Sequence, residues 1–460
     1  MQYEELRQKY TDFYYHSFSI EEDEKQLRVT YDFEIKNLSH FHPTFTLAKP
    51  DAESIAHDPL IRGCAFSLGM VELISYWKIS CPPHVHACCA LEEDQVRWWK
   101  KLYFNGLGEF FYKNGIQTNE DDFMDLAGGK EVLPAITAQK QTTGNLIAVG
   151  GGKDSFVTMD LLKEEKEHNH AFVINKVMSA IHSAQAAGYT GEKLINPTRT
   201  LDPAMLALNK QGYLNGHTPF SAMAAFAGYL SAAVWHKKYI VLSNESSANE
   251  STVKGSKVNH QYSKTFEFEQ DFNAYVKKYL PADIHYFSML RPLSELQIAG
   301  IFAALKPYHA IFRSCNVGQK EEKWCGHCAK CLFVCIMMTA FLDEEEVVSI
   351  FGRNMLADPD MKELFEELTG MQDNKPFECV GTRDEVNIAV AMGIHRYEKS
   401  GRNLPALYTF YKETPYYHFY QGRSVDWHSY NEQNLLPEHF AVIVKAKLKE
   451  MSDESGKLED

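Results

Sequence analysis

Three consecutive glycines, followed by a lysine, an acid and a serine, stand between an apolar segment and a segment with helical spacing. They are Gly150, Gly151, Gly152, Lys153, Asp154 and Ser155. Glycine lets the backbone turn sharply and approach an anion without interference from a Cβ atom. The free N–H groups at the start of the following helix point at such an anion, and the helix dipole favours its negative charge. The run therefore predicts a phosphate-binding loop, in which Ser155 adds a hydroxyl, Lys153 a cation and Asp154 a ligand for hydrated Mg²⁺.

This glycine run is neither of the two common nucleotide-binding patterns. The Walker sequence places four residues between its glycines before Gly-Lys-Ser/Thr, and the dinucleotide pattern is G-x-G-x-x-G. A glycine turn before a capped helix is the simpler alternative. The strand, the loop and the helix nevertheless occur in the order that phosphate binding requires, which favours the phosphate interpretation.

A second group that could do chemistry is a cysteine cluster with the spacing C-x9-C-x2-C-x2-C. Its members are Cys315, Cys325, Cys328 and Cys331. Four thiolates so close in sequence suit a tetrahedral Zn²⁺ with a structural role. Free buried or redox-active cysteines are the alternative. A metal-binding cluster, in place of a disulfide framework, predicts a reducing cytoplasmic location.

Polar residues recur where the predicted strands end, and several of them could bind anions or move protons. The candidates for proton transfer are His217, Glu245, His260 and Cys379. The candidates for substrate contacts are Arg199, Asn215, Asn244, Asn259 and Arg291. Simpler alternatives exist: a helix cap around His217, a solvated loop around Glu245 and a structural ion pair for Arg291.

The elements that must position these residues alternate between strands and helices from residue 145 onward. Short apolar strands are expected at 145–149, 170–177, 193–197, 239–242 and 284–289. Helical segments are expected between and after them at 154–166, 179–187, 218–237, 264–280 and 293–305. This order predicts a parallel sheet covered on both faces, in which ligands bind beyond the carboxyl ends of the strands.

The length of 460 residues suits two to four domains, and the sequence pattern changes twice. We expect an N-terminal α+β region over 1–138, a doubly wound α/β core with the cysteine cluster over 139–345, and a mainly helical region over 346–460. The expected elements of the first region are strands at 29–35 and 44–48 and helices at 58–77 and 95–114.

Composition excludes several classes of protein. Hydrophobic residues make up 45% and charged residues 23%, which is ordinary for a globular protein and excludes a disordered or collagen-like chain. The 47 basic residues and 61 acidic residues give a net charge of −14, which disfavours nonspecific binding to nucleic acid or anionic membranes. The charged N-terminus is unlike a signal peptide, and the most apolar run, 221–235, is shorter than a membrane span.

Taken together, these motifs resemble one family, the ATP-dependent UDP-N-acetylmuramoyl-L-alanyl-L-glutamate epimerases (MurL) of bacterial wall synthesis. The glycine loop alone resembles the SGGxDS pyrophosphate loop of the N-type ATP pyrophosphatases (PP-loop proteins), with Gly150 where serine is usual. The more specific segments are NGHTP (215–219), VNHQYSK (258–264), LRPLSEL (290–296) and KPFECVG (375–381). Supporting segments are GLGEFFYKNG (106–115), SNES (243–246), WCGHCAKC (324–331) and IFGRN (350–354). The resemblance covers most of residues 1–390.

The resemblance implies inversion of the terminal L-glutamate of a UDP-N-acetylmuramoyl dipeptide to D-glutamate. ATP would be converted to AMP and pyrophosphate through an acyl adenylate. It also implies that the glycine loop binds ATP and Mg²⁺. The cysteine cluster separately resembles the structural zinc sites of pyrophosphatases that make deazapurine bases, which supports a structural Zn²⁺. Neither nucleic acid nor membrane is expected as a partner.

Three other functions fit parts of the pattern. Another adenylating enzyme, such as a nucleobase or tRNA modifier, would use the same loop and zinc cluster, but the acidic net charge and the lack of a basic stripe disfavour it. An amide-forming synthetase would let an amine attack the adenylate in place of water. A nucleotide-binding module would bind ATP without releasing pyrophosphate.

Overall fold

The structure of the protein is a computed structural model, which describes residues 2–137, 141–249, 262–373, 375–376, 378 and 380–459. Three predicted site residues, Asn259, His260 and Cys379, lie outside the described residues. The strands are β1 (Asp12–Glu22), β2 (Gln26–Ile35), β3 (Ser39–Phe41), β4 (Thr44–Ala48), β5 (His84–His86), β6 (Asp125–Ala127), β7 (Asn145–Ala148), β8 (Asn169–Phe172), β9 (Leu194–Ile195), β10 (Thr198–Arg199), β11 (Tyr239–Leu242) and β12 (His285–Ser288).

The α-helices surround two sheets formed by these strands. They are α1 (Tyr3–Lys9), α2 (Pro59–Trp77), α3 (Glu93–Gly106), α4 (Gly108–Lys113), α5 (Lys153–Leu161), α6 (Met178–Ala186), α7 (Pro203–Lys210), α8 (Phe220–Val234), α9 (Phe266–Tyr279), α10 (Glu295–Ala304), α11 (Ala329–Thr339), α12 (Glu344–Phe351), α13 (Lys362–Thr369), α14 (Arg383–Lys399), α15 (Ala406–Lys412), α16 (Pro415–Tyr420) and α17 (Glu438–Glu459). Among the described residues, no helix combines the length and apolar composition that crossing a membrane requires.

The N-terminal sheet has the strand order β10-β4-β2-β1-β5-β6, with β3 paired to β2. Along β2 the side chains alternate between buried and more exposed positions, as expected for a strand with one face on a core. Helix α2 packs on the buried face, where the hydroxyl of Tyr31 donates to the carbonyl oxygen of Ala65 at 3.2 Å. Asp58 starts this helix by accepting the N–H of Leu60 at 2.8 Å, and Pro59 occupies its first turn.

The second sheet is parallel, with the strand order β12-β11-β7-β8-β9. Strand β7 comes first along the chain yet lies between β8 and β11, so the strand order reverses at this point. In parallel sheets, the crevice at the carboxyl ends of such neighbouring strands is where ligands bind. The glycine loop follows β7, and the segment 243–245 follows β11, so both lie at this switch point.

Alternate residues of the parallel strands face two separate cores. Leu146 and Ile240 belong to a core shared with the N-terminal sheet and helices α2, α8 and α9. Ile147 and Val241 belong to a core shared with α5, α10, α11 and the C-terminal helices. The parallel sheet is therefore buried on both faces, and the N-terminal and C-terminal regions pack against opposite sides of it.

The predicted alternation of strands and helices from residue 145 onward is confirmed, with shorter elements than expected. The strand predicted over 170–177 ends at Phe172, and the helix predicted over 95–114 is interrupted at Leu107, which separates α3 from α4. Strand β1 was not predicted. A bulge after Tyr15 shifts its alternation, and the inward-facing Phe18 and Ile20 beyond the bulge are only partly buried. Strand β10 is also unexpected, and it ties the residues after β9 to the N-terminal sheet through β4.

Candidate active site

The glycine loop has a fixed shape that leaves little room for side chains. Gly151 has a φ of +89°, and a Cβ atom there would lie 3.0 Å from the backbone nitrogen of Ala180. The N–H of Gly150 donates to the hydroxyl of Ser155 at 3.0 Å, and the N–H of Arg313 donates to the carbonyl oxygen of Gly151 at 2.8 Å. Ser155 thus stabilises the loop from within, and the loop leads directly into the N-terminus of α5 at the switch point.

Lys153, the first residue of α5, points into the protein. Its ammonium group is buried and contacts the carboxylates of Asp154 and Glu295. Burial opposes the charge, yet these two carboxylates raise the pKa of Lys153 above its ordinary value. The lysine therefore stays charged and links the loop to the N-terminus of α10. To act as the predicted cation for a phosphate, its ammonium group would have to exchange one of these partners.

Acidic side chains from several elements lie around this lysine. Burial raises the pKa of Glu295, and the carboxylates of Asp154 and Glu245 raise it further, against the opposing charge of Lys153. Burial also raises the pKa of Glu385, whose carboxylate accepts the N–H of Glu295 at 2.7 Å. Mg²⁺ takes carboxylate oxygens together with phosphate oxygens and water, so the carboxylates of Asp154 and Glu245, which both act on Glu295, could supply ligands to a hydrated Mg²⁺.

Glu385 brings the C-terminal region into the site. Its carboxylate accepts the N–H of Thr382 at 2.8 Å and the hydroxyl of Thr382 at 2.7 Å, which forms the capping box of α14. Because the same side chain also accepts the N–H of Glu295, it joins the first turns of α14 and α10. Glu385 therefore links the C-terminal helices to α10, and the carboxylate of Glu295 in turn contacts Lys153.

The segments after β11 and β12 are held together by a fully buried arginine, Arg291. Its guanidinium pairs with Glu269 at 3.0 Å and donates to the carbonyl oxygens of Glu245 at 2.7 Å and Lys264 at 2.6 Å. The guanidinium group therefore donates to partners within the protein, which agrees with the alternative prediction that Arg291 forms a structural ion pair. Asn244, a predicted substrate contact, donates to the hydroxyl of Ser288 at 3.1 Å.

The predicted anion ligand Arg199 lies apart from the glycine loop, on β10 against α2. Its guanidinium makes a two-bond ion pair with Glu72, at 2.6 and 2.8 Å, and donates to the hydroxyl of Ser75 at 3.1 Å. Burial opposes this charge, but the Glu72 carboxylate raises the pKa of Arg199. Arg199 therefore anchors β10 on α2 and already has an anionic partner.

A buried lysine, Lys78, lies nearby, at the C-terminal end of α2. The ammonium group of Lys78 donates to the carbonyl oxygen of Gly216 at 2.5 Å, and in the described part of the chain no carboxylate forms an ion pair with it. Burial, with a smaller contribution from the charge of Arg199, lowers the pKa of Lys78 to about 8. Buried charges are normally paired, so this amine is able to lose its proton close to neutral pH.

His217 follows Gly216 and is the predicted proton-transfer residue of this segment. Its Nδ1 atom lies 3.6 Å from a carboxylate oxygen of Glu109 on α4, and its side chain is about one quarter exposed. Asn215 accepts the N–H of Gly216 at 2.8 Å through its side-chain oxygen, and its carbonyl oxygen accepts from Asn114 at 3.2 Å. The segment therefore places an imidazole beside a carboxylate, an arrangement that can orient the ring for proton transfer.

The four clustered cysteines come together as predicted. Their sulfur atoms lie within 4.8 Å of one another, with separations of 3.5, 3.7 and 3.9 Å among the closer pairs. Zn–S bonds of about 2.3 Å in a tetrahedron require sulfur separations of about 3.8 Å. The N–H groups of Gly318 and Cys325 donate to the sulfur of Cys315 at 3.2 and 3.4 Å, which suits a thiolate. The donor set and its spacing fit Zn²⁺.

The structure thus separates the predicted residues into two groups. The glycine loop, Asn244, Glu245 and Arg291 gather at the switch point, whereas Arg199, Asn215 and His217 lie around the end of α2. Sequence reasoning missed Lys78, Glu109 and Glu385. The pattern Thr382-x-x-Glu385 is a visible capping-box signal, but a lysine after an apolar helix gives no sign that it is buried.

Comparisons with known proteins identify the family. A model described as the MurL N-terminal domain matches residues 4–289, and one described as the MurL C-terminal domain matches residues 311–416. The chain belongs to the MurL family.

Curated MurL relatives cover most of the chain. A UDP-N-acetyl-alpha-D-muramoyl-L-alanyl-L-glutamate epimerase from Xanthomonas oryzae pv. oryzae is 37% identical over 72% of this chain and 74% of its own length. The enzyme of the same name from a Micromonospora species is 33% identical over 71% of this chain and 73% of its own length. No solved structure gives a significant match to the chain. The matched residues include the glycine loop, the end of α2 and the cysteine cluster.

Proposed function

We propose that the protein epimerises the terminal L-glutamate of UDP-N-acetylmuramoyl-L-alanyl-L-glutamate to D-glutamate and consumes ATP in doing so. The names of the curated relatives support the substrate and the reaction. The observation that carries the ATP requirement is the glycine loop at the switch point of a parallel sheet, where such sheets bind phosphates. The loop and the strand order support a PP-loop ATP pyrophosphatase core with a doubly wound, HUP-like fold.

Adenylation solves a chemical difficulty of this reaction. The α C–H bond of a free carboxylate is hard to ionise, because loss of the proton adds negative charge beside an existing anion. The α-carboxylate of the terminal glutamate attacks the α-phosphate of ATP, which releases pyrophosphate and forms an acyl adenylate. The carboxylate charge beside the α C–H bond is thereby removed. A positioned base then takes the α proton, and reprotonation from the opposite face inverts the centre. Water finally cleaves the acyl–phosphate bond and releases AMP.

The acidic cluster at the glycine loop gives the nucleotide end its cation. We infer that Asp154 and Glu245 would hold Mg²⁺, which neutralises phosphate charge when bound. Glu295 and Glu385 keep Lys153 in place at the N-terminus of α5. Phosphate oxygens would then face the N–H groups of the loop and a positive ammonium group, in a part of the site that is largely removed from water.

We assign proton transfer at the α-carbon to Lys78 and His217, and this assignment requires that the acyl adenylate extend from the glycine loop to the end of α2. Inversion through two bases needs one group on each face of a planar intermediate, and these two side chains adjoin Gly216. Lys78 bonds to the Gly216 carbonyl, and His217 is the next residue along the chain. Because burial lowers the pKa of Lys78 to about 8, a useful fraction of the amine is neutral at physiological pH. The carboxylate of Glu109 lies 3.6 Å from Nδ1 of His217 and would attract the protonated form of the imidazole. His260 and Cys379 remain predicted participants outside the described residues.

We propose that the cysteine cluster holds Zn²⁺ in a structural role. Four sulfur ligands close the coordination sphere and leave no position for substrate. Asn316, the residue after the first cysteine, donates to the carboxylate of Glu378 at 2.9 Å, so the cluster lies beside Glu378. Reduced cysteines of this kind also support a cytoplasmic location.

A comparison of three substrates tests this proposal against its rivals. The protein is incubated with ATP, Mg²⁺ and either UDP-N-acetylmuramoyl-L-alanyl-L-glutamate, the same dipeptide with ammonia, or tRNA, and AMP, pyrophosphate and product mass are measured. We expect AMP to form in both reactions that contain the dipeptide, and the dipeptide product to keep its mass even when ammonia is present. We expect no AMP with tRNA. AMP formation that requires tRNA, or a product in which the carboxylate has become an amide, would contradict the proposal.

A further inference from the structure

The open side of the N-terminal sheet carries several histidines and carboxylates. Strand alternation places Tyr15, Phe33 and Phe41 on the buried side, beneath α2. It places His16 on β1, Glu34 on β2 and His40 on β3 on the opposite side, facing solvent. This face lies away from both the glycine loop and the cysteine cluster, so none of the chemistry described above accounts for it.

The strand register brings three of these side chains together. Glu34 lies directly opposite His40 in the pairing of β2 with β3. His16 is the extra residue of a β-bulge, because Tyr15 pairs with Phe33 and Ser17 pairs with Asp32. A bulge bends its strand and redirects a side chain, and bulges often occur beside functional sites. Here it brings His16 up to the carboxylate that His40 also approaches.

The resulting geometry has the Glu34 carboxylate between two imidazoles. Nε2 of His16 lies 2.7 Å from one oxygen of Glu34, and Nε2 of His40 lies 3.7 Å from the other. One donor atom from each of the three residues lies within 4.8 Å of the other two. The side chains remain accessible, with His16 38%, Glu34 21% and His40 59% exposed. An ion could therefore enter from solvent without unfolding the sheet.

A second carboxylate, Asp32, adjoins His40 and a further histidine, His42. One oxygen of Asp32 lies 3.9 Å from Nδ1 of His40 and 3.4 Å from Nε2 of His42. That oxygen is buried and accepts no hydrogen bond from the described residues. Buried polar atoms normally have a partner, and an orphaned carboxylate oxygen facing two imidazoles is a natural outer ligand or water-binding group for a cation.

We propose that His16, Glu34 and His40 form a binding site for a divalent transition metal ion such as Zn²⁺. Two imidazole nitrogens and one carboxylate oxygen are a common ligand set for Zn²⁺ and leave a fourth position for water. Imidazole also suits Ni²⁺ and Cu²⁺, whereas Mg²⁺ prefers oxygen ligands, so the site differs in class from the acidic cluster at the glycine loop. Because its ligands come from β1, β2 and β3, the bound ion would join three strands and stabilise the folded N-terminal sheet by mass action.

Calorimetric titration with Zn²⁺ tests this site in the full-length protein. The protein is first loaded with one equivalent of Zn²⁺, which fills the cysteine cluster, and is then titrated with more Zn²⁺ in a buffer that does not bind metal. We expect one further equivalent to bind and to raise the melting temperature. The double variant His16→Ala/His40→Ala should lose this second equivalent. The matched control is His84→Ala, which removes an exposed imidazole beside Asp125 on the same sheet.

A third variant keeps the test decisive if the double variant fails to fold. Glu34→Gln removes the anionic ligand and preserves side-chain size, so we expect Zn²⁺ to bind at least about tenfold more weakly at the second site. Co²⁺ offers an independent readout, because a nitrogen and oxygen site lacks the intense sulfur charge-transfer bands of a cysteine site. The proposal is overturned if the unaltered protein takes up no second equivalent. It is also overturned if Glu34→Gln binds the second equivalent with unchanged affinity.

Discussion

Replacing Lys78 with methionine is expected to stabilise the fold and to abolish epimerisation. The residue is 7% exposed, and its pKa falls from 10.5 to about 8 on folding. Below pH 8 the amine is charged in both states, so the folded protein carries the full cost of the buried charge. That cost diminishes as the pH rises from about 8 to 10.5 and vanishes above this range.

The magnitude follows from the same two pKa values. A tenfold change in acidity corresponds to about 1.4 kcal/mol, so the buried charge costs about 3 kcal/mol at pH 7. Methionine removes this charge but also the hydrogen bond to the Gly216 carbonyl, a loss of about 1 kcal/mol. We therefore expect Lys78→Met to raise the free energy of unfolding by about 2 kcal/mol at pH 7, and this gain should disappear above pH 10.5.

Urea unfolding of the two proteins at pH 7 and at pH 11 measures this difference, and chiral analysis of glutamate measures activity. If Lys78 accepts a proton from the substrate, the epimerisation rate of the unaltered protein should rise with pH through about 8. Lys78→Arg serves as the control, because arginine keeps the charge but cannot release a proton. The reasoning is refuted if Lys78→Met is less stable than the unaltered protein at pH 7, or if Lys78→Arg retains full epimerase activity.

Four other substitutions or treatments test separate parts of the account. Gly151→Ala should abolish ATP turnover, because the new Cβ would lie 3.0 Å from a backbone atom. Gly212→Ala is the control, because Gly212 has a similar φ of +85° but open space around it. It should keep ATP turnover and lower the free energy of unfolding by only about 1–2 kcal/mol. His217→Ala should still release pyrophosphate from ATP but should no longer invert glutamate, and a loss of both activities would contradict its role in proton transfer. Arg291→Met should lower the free energy of unfolding by about 3–5 kcal/mol in urea titrations, because it leaves the buried carboxylate of Glu269 without its ion pair. A decrease below about 1 kcal/mol would show that this ion pair is not structural. Removal of Zn²⁺ by a chelator, or Cys328→Ser, should lower the melting temperature, and an unchanged melting temperature would contradict the zinc assignment.

Much of the parallel sheet could be predicted from the sequence because its strands are short, apolar and separated by helical patterns. Such strands are buried on both faces, so nearly every residue in them is apolar and the run is visible in the sequence itself. Strand β1 escaped prediction for the opposite reason. Its alternation is interrupted by the bulge at His16, and beyond the bulge only Phe18 and Ile20 pack against the core, both of them partly buried. Strand pairing is a long-range property that local composition does not reveal.

The residues of the candidate site also fall into those that a local sequence pattern predicts and those that depend on long-range contacts. Glycines before a helix and four closely spaced cysteines are local signals, and the structure brings each group together. Arg199 and Lys78 show what local signals cannot provide. Both are cations near the end of α2, but Glu72 pairs with Arg199 across the fold, whereas the partner of Lys78 among the described residues is a carbonyl oxygen. Which of the two remains available to a substrate depends on contacts between residues more than a hundred positions apart.

We propose that this chain couples ATP cleavage to inversion of a glutamate centre. Incubation of the protein with ATP, Mg²⁺ and UDP-N-acetylmuramoyl-L-alanyl-L-glutamate, followed by acid hydrolysis, chiral analysis of the released glutamate and quantification of AMP, tests this coupling. We expect D-glutamate to appear together with AMP and pyrophosphate, and neither to appear when ATP or the dipeptide precursor is omitted. Glutamate that stays entirely in the L form while no AMP is produced would contradict it.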